Sequence, residues 1–220
     1  MNDRPTPTRE DFSTFFKAKL KQLPNRQECV WISDVVPVEA LAAAYPLGVF
    51  PWPGDDPQLF PWVSPRSRGV LPFDQFHLGK STIRQIKKAE FQITYDQAFV
   101  DIINTCHHFH LPESWIHPLM REAYIEAHHQ GIAHSVEVWQ NGKVVGGLYG
   151  MDSGHFFSGE SMFHLIPNAG KAAIQFLVEQ RQNLGNQFLD IQQLTPHMKV
   201  MGAETWSRKR FTEAISPSGS

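Results

Sequence analysis

At 220 residues, 41% of them apolar, the chain is long enough for one large domain, or a small domain leaning on a larger one, and too apolar for wholesale disorder. A formal net charge of −2 excludes generic polyanion binding, so any contact with nucleic acid must come from a local patch. Two isolated cysteines, Cys29 and Cys106, argue against a disulfide framework or a structural zinc site and for a reducing cytoplasm, and the polar N-terminus and short apolar runs argue against a secretory signal or a membrane span.

Residues 1–10 and 215–220, rich in Pro, Thr and Ser, read as mobile ends. Residues 37–45 read as a short helix with Pro37 near its first turn. The next 29 residues, from Tyr45 to Phe73, hold seven prolines and six aromatics. Proline at that density argues against a regular helix or a central strand, yet the aromatics need burial. The expectation is a small, irregular, aromatic-rich N-terminal domain over residues 1–66, followed by a second domain over 67–220. In the second, Lys80–Ala89 reads as a helix, Phe91–Tyr95 as a strand, and Gln97–His108 and Pro118–Gln130 as helices. A meander follows: Ala133–Trp139, a turn at Asn141-Gly142, Val144–Met151, a turn at Ser153-Gly154, and His155–Ser158. Asn-Gly between apolar runs is a strong hairpin signal. Ala169–Gln182 reads as a helix stopped by Gly185, and Phe188–Gln192 as a strand. Helices on either side of an antiparallel meander predict an α+β sheet covered by helices.

Asp190, Gln192 and Glu160 sit in or beside segments apolar enough to be core, where a carboxylate needs a partner or a purpose. In an extended strand Phe188, Asp190 and Gln192 share a face, with Asp190 and Gln192 about 6.6 Å apart. Gln192 can then donate toward Asp190 and aim its carbonyl oxygen at a substrate N–H, with the acid behind it supporting developing positive charge. The alternative is that Asp190 caps a loop and Gln192 pairs a strand edge. Ser158-Gly159 leave space beside Glu160, and Met162 and Phe163 follow, which fits a pocket rim, although by itself the segment reads more readily as a surface turn with a solvated Glu. Gly146-Gly147 allow a bulge, with or without a ligand approaching closely. Lys80, Arg84, Lys87 and Lys88 fall on one helical arc of about 100°, suited to a phosphate backbone or simply to solvent. The histidines of Cys106–His110 and His128-His129 lack a metal-ligand spacing. There is no P-loop, GxGxxG, HExxH or GxSxG motif, so nothing calls for ATP, NAD or a metal.

The segments YPLGVFPW, SPRSRGVLP, AHSVEVWQNGKVVGGLYG, FFSGESMF, NAGKAA and LDIQ-x-L-x-PH-x-x-x-MGA occur in this order between residues 40 and 205. This series resembles the leucyl/phenylalanyl-tRNA–protein transferases. The resemblance implies a small N-terminal domain plus a GNAT-like acyltransferase domain. It also implies transfer of Leu or Phe, with Met a further candidate, from aminoacyl-tRNA to the α-amine of an N-terminal Arg or Lys, which creates a degradation signal. No cofactor is implied, because the aminoacyl ester is already activated. By the same resemblance the catalytic residues are Asp190, Gln192 and Glu160. The 3′-terminal adenosine is gripped by Tyr45, Trp52 and Trp115. Leu148, Phe157, Gly159, Met162, Ile174 and Leu177 form the side-chain pocket, and Lys80, Arg84, Lys87 and Lys88 contact the tRNA acceptor stem. Departures from the family's usual pattern fall at Val63, Gly170, Leu189, Ile191 and Val200-Met201, and the segment before Tyr45 keeps little of the family's Gly-Gly-Asp pattern. Two other readings of such a fold are an acyl-CoA N-acyltransferase, against which HLIPNAGKAA lacks the pyrophosphate-loop spacing, and a non-catalytic tRNA- or degron-binding module.

Overall fold

A computed structural model describes residues 6–54, 56, 58–112, 114 and 116–216. The expected mobile ends fall partly outside this range. Residues 6–10 lead into a helix that the composition hides, α1 (Arg9–Gln22). Thr8 caps it in a box: its hydroxyl accepts from the Asp11 backbone, and the Asp11 carboxylate accepts from the Thr8 backbone. Phe12, Phe15 and Phe16 recur on one side of α1 and pack around Trp31 and Trp62.

Two sheets follow. The smaller joins β1 (Cys29–Ser33), β3 (Phe60–Val63) and β2 (Phe50–Pro51), with β3 in the centre. This corrects the expectation that proline would exclude a central strand. Pro61 lies inside β3 because it only has to accept there: its carbonyl takes the Trp52 N–H at 2.7 Å. Between β1 and β2 lies α2 (Val38–Ala44), with Pro37 at its N-cap.

The larger sheet begins with β4 (Ser67–Pro72). Then come α3 (Lys80–Ala89), β5 (Gln92–Tyr95), α4 (Phe99–Phe109) and α5 (Pro118–His129). The meander is β6 (Ala133–Gln140), β7 (Lys143–Asp152) and β8 (Phe157–His164). Its first turn has positive φ at both Asn141 and Gly142, as a tight hairpin of this hand needs. The chain ends with α6 (Ala169–Asn183), β9 (Phe188–Gln192), α7 (Pro196–Val200), β10 (Glu204–Ser207) and α8 (Arg208–Ile215). Strand order is β10-β4-β9-β8-β7-β6-β5, antiparallel except for β8 and β9. The fold is α+β, an antiparallel meander sheet covered by helices, as the sequence predicts.

The parallel pair positions the site. Crossing over through α6, β9 pairs β8 at only two places, Phe157 with Leu189 and Ser158 with Asp190. Beyond Ser158 the two strands part, and β8 runs on to His164. The expected strand ending at Ser158 is therefore too short: Glu160 lies within β8 and not in a turn. Gly146 and Gly147 are close-approach points, but for packing. Ala169 of α6 sits against the first, and Ile102 of α4 with the Val136 carbonyl against the second.

Candidate active site

Asp190 is fully buried, and its carboxylate accepts from four donors. Arg68 of β4 forks onto it, Nε to Oδ1 at 2.7 Å and Nη2 to Oδ2 at 2.6 Å. Ser158 Oγ donates to Oδ2 at 2.8 Å, and the Gln192 backbone N–H to Oδ1 at 3.0 Å. A carboxylate offers about four lone-pair sites. With these taken, Asp190 has nothing left with which to act as a base; it is an anchor.

Gln192 departs from the simple alternation expected of β9. Gly69 pairs Gln192 while its neighbour Val70 pairs Asp190, so Ile191 is an extra residue, a bulge. Gln192 takes φ +52°, uncommon for a side chain this long. Its amide does not donate to Asp190 as expected. The Nε2 group donates to Ser158 Oγ at 2.9 Å and to Glu160 Oε1 at 3.1 Å. Ser158 thus couples the two catalytic candidates, accepting from one and donating to the other. Both amide protons are used, so the carbonyl oxygen is the end left to meet a substrate N–H. The turn also depends on Gly69: a Cβ there would lie 2.5 Å from the Gln193 carbonyl carbon and 2.6 Å from the Leu194 nitrogen.

Glu160 is half-buried at the point where β8 and β9 separate. Its other oxygen accepts from the Tyr124 hydroxyl at 3.0 Å, and Tyr124 is 2.8 Å from the Tyr45 hydroxyl. Because Tyr124 gives its proton to an ionised Glu160, Tyr45 must donate to Tyr124. Burial, then the negative charge of Asp190, pushes the Glu160 carboxyl up to about 7. Burial and the Glu160 charge hold both phenols well above their ordinary range. These side chains therefore form one connected series, Arg68–Asp190–Ser158–Gln192–Glu160–Tyr124–Tyr45.

A cavity of about 310 Å³ opens beside this series, between the diverging strands and α6. Leu148, Gly159, Met162, Ile174 and Leu177 line it, together with Glu160 and Gln192. Leu189, Ile191 and Met198 complete its apolar wall, and none of these three belongs to the pocket that the resemblance implies. Phe157 is elsewhere: it is sealed in the core, with its ring against Gly150 and the Arg181 guanidinium. On the other side of Gln192 and Gln193 lies a smaller cleft of about 180 Å³, walled by Phe50, Trp52, Val63, Pro65, Ser67 and Glu28. Trp52 presents its ring there, T-shaped to Phe50. Tyr45 is buried, tied to Tyr124, and offers no stacking face, which corrects its expected role. Trp115 lies outside the described residues. Lys80, Arg84, Lys87 and Lys88 are exposed on α3, while Ile86 packs on the core. That helix is tied to the start of α6 by Asn168 donating to Gln85 at 2.7 Å. Among the described residues no three His, Cys, Asp or Glu side chains come together in a way that could hold a metal ion.

A family model described as leucyl/phenylalanyl-tRNA protein transferase matches residues 70–216. The chain belongs to the leucyl/phenylalanyl-tRNA–protein transferase family. Curated relatives of that name include those of Novosphingobium aromaticivorans, 40% identical over 82% of this chain and 70% of the relative, and Myxococcus xanthus, 42% identical over 81% and 77%. The relative from Nitratidesulfovibrio vulgaris is 43% identical over 83% and 78%. Solved structures similar in fold are far more distant in sequence. L-PGS from Bacillus licheniformis aligns with a TM-score of 0.44 at 11% identity over 69% of this chain and 56% of that one. A ribosomal-protein-alanine N-acetyltransferase from Brucella melitensis aligns with 0.34 at 12% over 59% and 93%.

In this transferase chain Arg68 does not stand out in the sequence because its partner lies 122 residues away, and Ser158 stands out only for its small size. The SPRSRGVLP segment that carries the resemblance holds both Arg68 and Gly69, so the signal is present as a motif, though not as chemistry.

Proposed function

We propose that this chain joins Leu or Phe from its tRNA to the α-amine of an N-terminal Arg or Lys on a protein, marking that protein for degradation. The observation that carries the reading is the position of Gln192, at the junction of an apolar cavity and an aromatic-walled cleft. The amino-acid side chain fills the cavity. The terminal adenosine stacks in the cleft on Trp52, an interaction worth about 1–3 kcal/mol. The ester carbonyl then lies beside the Gln192 carbonyl oxygen and Glu160.

An α-amine has a pKa near 8, so roughly a tenth is neutral at pH 7. Glu160, poised at about 7, accepts the ammonium proton. Gln192 accepts a hydrogen bond from the remaining N–H and turns the nitrogen lone pair toward the ester carbon. As the C–N bond forms and the bond to the 3′-oxygen breaks, the second amine proton reaches that oxygen through the adjacent ribose 2′-hydroxyl. Asp190, held by the Arg68 fork, supports the positive charge on nitrogen. The α3 cations guide the acceptor stem toward α6 and the cavity. The free cysteines, one exposed and one buried, suit a cytoplasmic site of action, and no helix among the described residues is long and apolar enough to cross a membrane.

The test is to incubate the protein with leucyl-, phenylalanyl- and methionyl-tRNA and with peptides that begin with Arg, Lys or Asp, and to read product masses. Leu or Phe adducts on Arg and Lys peptides are expected. Product on the Asp peptide alone, or none at all, refutes the assignment.

A further inference from the structure

Arg68 is an unusual residue to find where it is. It is 2% exposed, and its guanidinium is clamped between two rings, Phe50 at 4.4 Å and Phe211 at 4.5 Å. All its polar contacts are internal: the fork on Asp190, and Nη1 donating to the Gly48 carbonyl at 3.1 Å. Its neighbours come from three separate parts of the chain. Gly48 and Phe50 belong to the segment that carries Trp52, Asp190 to the strand that carries Gln192, and Phe211 to the last helix. Burying a cation costs several kcal/mol unless geometry and hydrogen bonding are close to ideal. A fork–fork pair with two flanking rings meets that condition. If the pair served only to fill space, an apolar pair would do as well. What an apolar pair cannot do is hold a carboxylate charged and square to Ser158 and to the Gln192 N–H.

We propose that Arg68 is a positioning residue for the transfer step, fixing Asp190 and through it the Gln192 amide, while it sets the separation between the cleft wall at Phe50 and Trp52 and the catalytic strand. The inference rests on the aminoacyl-transfer reading above. It follows that Arg68 acts on the reacting geometry rather than on tRNA capture. The guanidinium faces Asp190 and two rings and touches neither cavity.

The experiment uses the full-length protein with Arg68→Lys, Arg68→Ala and Arg68→Ala/Asp190→Ala. Arg68→Lys keeps the charge but loses the fork. It is expected to lower kcat on leucyl-tRNA 10- to 100-fold, with KM for the tRNA changed less than threefold. Methylguanidinium in the millimolar range is expected to raise the rate of Arg68→Ala at least tenfold and to leave the double variant unmoved, because the double variant has no carboxylate to hold it. The side-chain amide resonance of Gln192, assigned by its loss in Gln192→Glu, is expected to shift in Arg68→Lys. That readout needs no turnover, so it separates failure of this proposal from failure of the activity assignment. An Arg68→Lys protein with wild-type kcat, a change confined to KM, or an unmoved Gln192 resonance in the folded variant overturns the proposal. If Arg68→Ala does not fold, Arg68→Lys alone decides.

Discussion

Glu160 and Asp190 are neighbouring carboxylates with opposite fates. Asp190 is saturated by Arg68, Ser158 and the Gln192 backbone, so its lone-pair sites are all occupied. Glu160 has only neutral donors, Tyr124 and the Gln192 amide, and lies beside the Asp190 charge. Its carboxyl is therefore raised from 4.5 to about 7. A carboxylate with every lone pair occupied suits the work of an anchor, and a raised one with neutral donors suits that of a proton carrier. The sign of the stability effect follows from the direction in which Glu160 moves. A raised carboxyl binds its proton more tightly when folded, so this contribution is fully present below about pH 4.5 and is lost as pH rises through about 7. Glu160→Gln should remove it. A tenfold change in proton affinity is worth about 1.4 kcal/mol. Denaturant titrations at pH 5 and pH 8 should therefore show the wild type losing up to a few kcal/mol, and the variant losing clearly less. The same variant should lose the rise of kcat with pH around 7. A variant whose stability and rate follow the wild-type pH curves would show that Glu160 carries neither.

At the scale of elements, charge and packing divide cleanly on α3. Its four cations are exposed and Ile86 packs on the core, so the helix can lose the former without unfolding. Replacing Lys80, Arg84, Lys87 and Lys88 by Ala should weaken tRNA binding and reduce the slope of log Kd against log salt by about three, at roughly 0.7–0.9 per phosphate contact. An unchanged slope removes α3 from the tRNA path. Elements such as α3, α5 and the meander are legible in the sequence because each carries its own period and its own stop: Pro118 opens one helix, Asn141-Gly142 turns one hairpin. The elements that are not legible owe their structure to distant partners. Strand β3 tolerates Pro61 because Trp52, just past β2, supplies a donor to its carbonyl, and β10 exists only as an edge on β4. The candidate site divides in the same way. Asp190, Gln192 and Glu160 stand out as polar residues in or beside apolar segments, whereas Arg68 is one arginine among prolines until β4 and β9 pair. The bulge at Ile191 is invisible too, since local alternation cannot show where a partner strand skips a residue.

Across the whole molecule, sheet membership and core membership do not coincide. A division near residue 66, which we propose from the composition, separates the three-stranded sheet from the seven-stranded one. Yet one hydrophobic cluster runs without a break from Phe16, Tyr45 and Trp62 to Ile102, Tyr124, Tyr149 and Phe163. Within it lie both tyrosines of the hydrogen-bonded series that reaches Glu160, so the geometry of the candidate site is built on contacts that cross the division. Parts that share a core exchange packing energy and lose it together, which is the physical basis of a two-state transition. Phe16→Ala should therefore be felt far from α1. Removing a fully buried phenylalanine costs about 3–5 kcal/mol, and here the cavity would open beside Trp62. Three of the six tryptophans, Trp31, Trp52 and Trp62, lie in the N-terminal part, so replacing Trp115, Trp139 and Trp206 by Phe leaves a background whose fluorescence reports on that part alone. Unfolding of that background followed by tryptophan fluorescence and by far-UV circular dichroism, dominated by the larger sheet and its helices, should give coincident curves. Both should move by the same free energy in Phe16→Ala. Separate transitions, with the variant moving only the fluorescence curve, would mean that the N-terminal part melts on its own. In that case the Tyr45–Tyr124 contact would open before the sheet does, and activity should be lost at the first transition rather than the second.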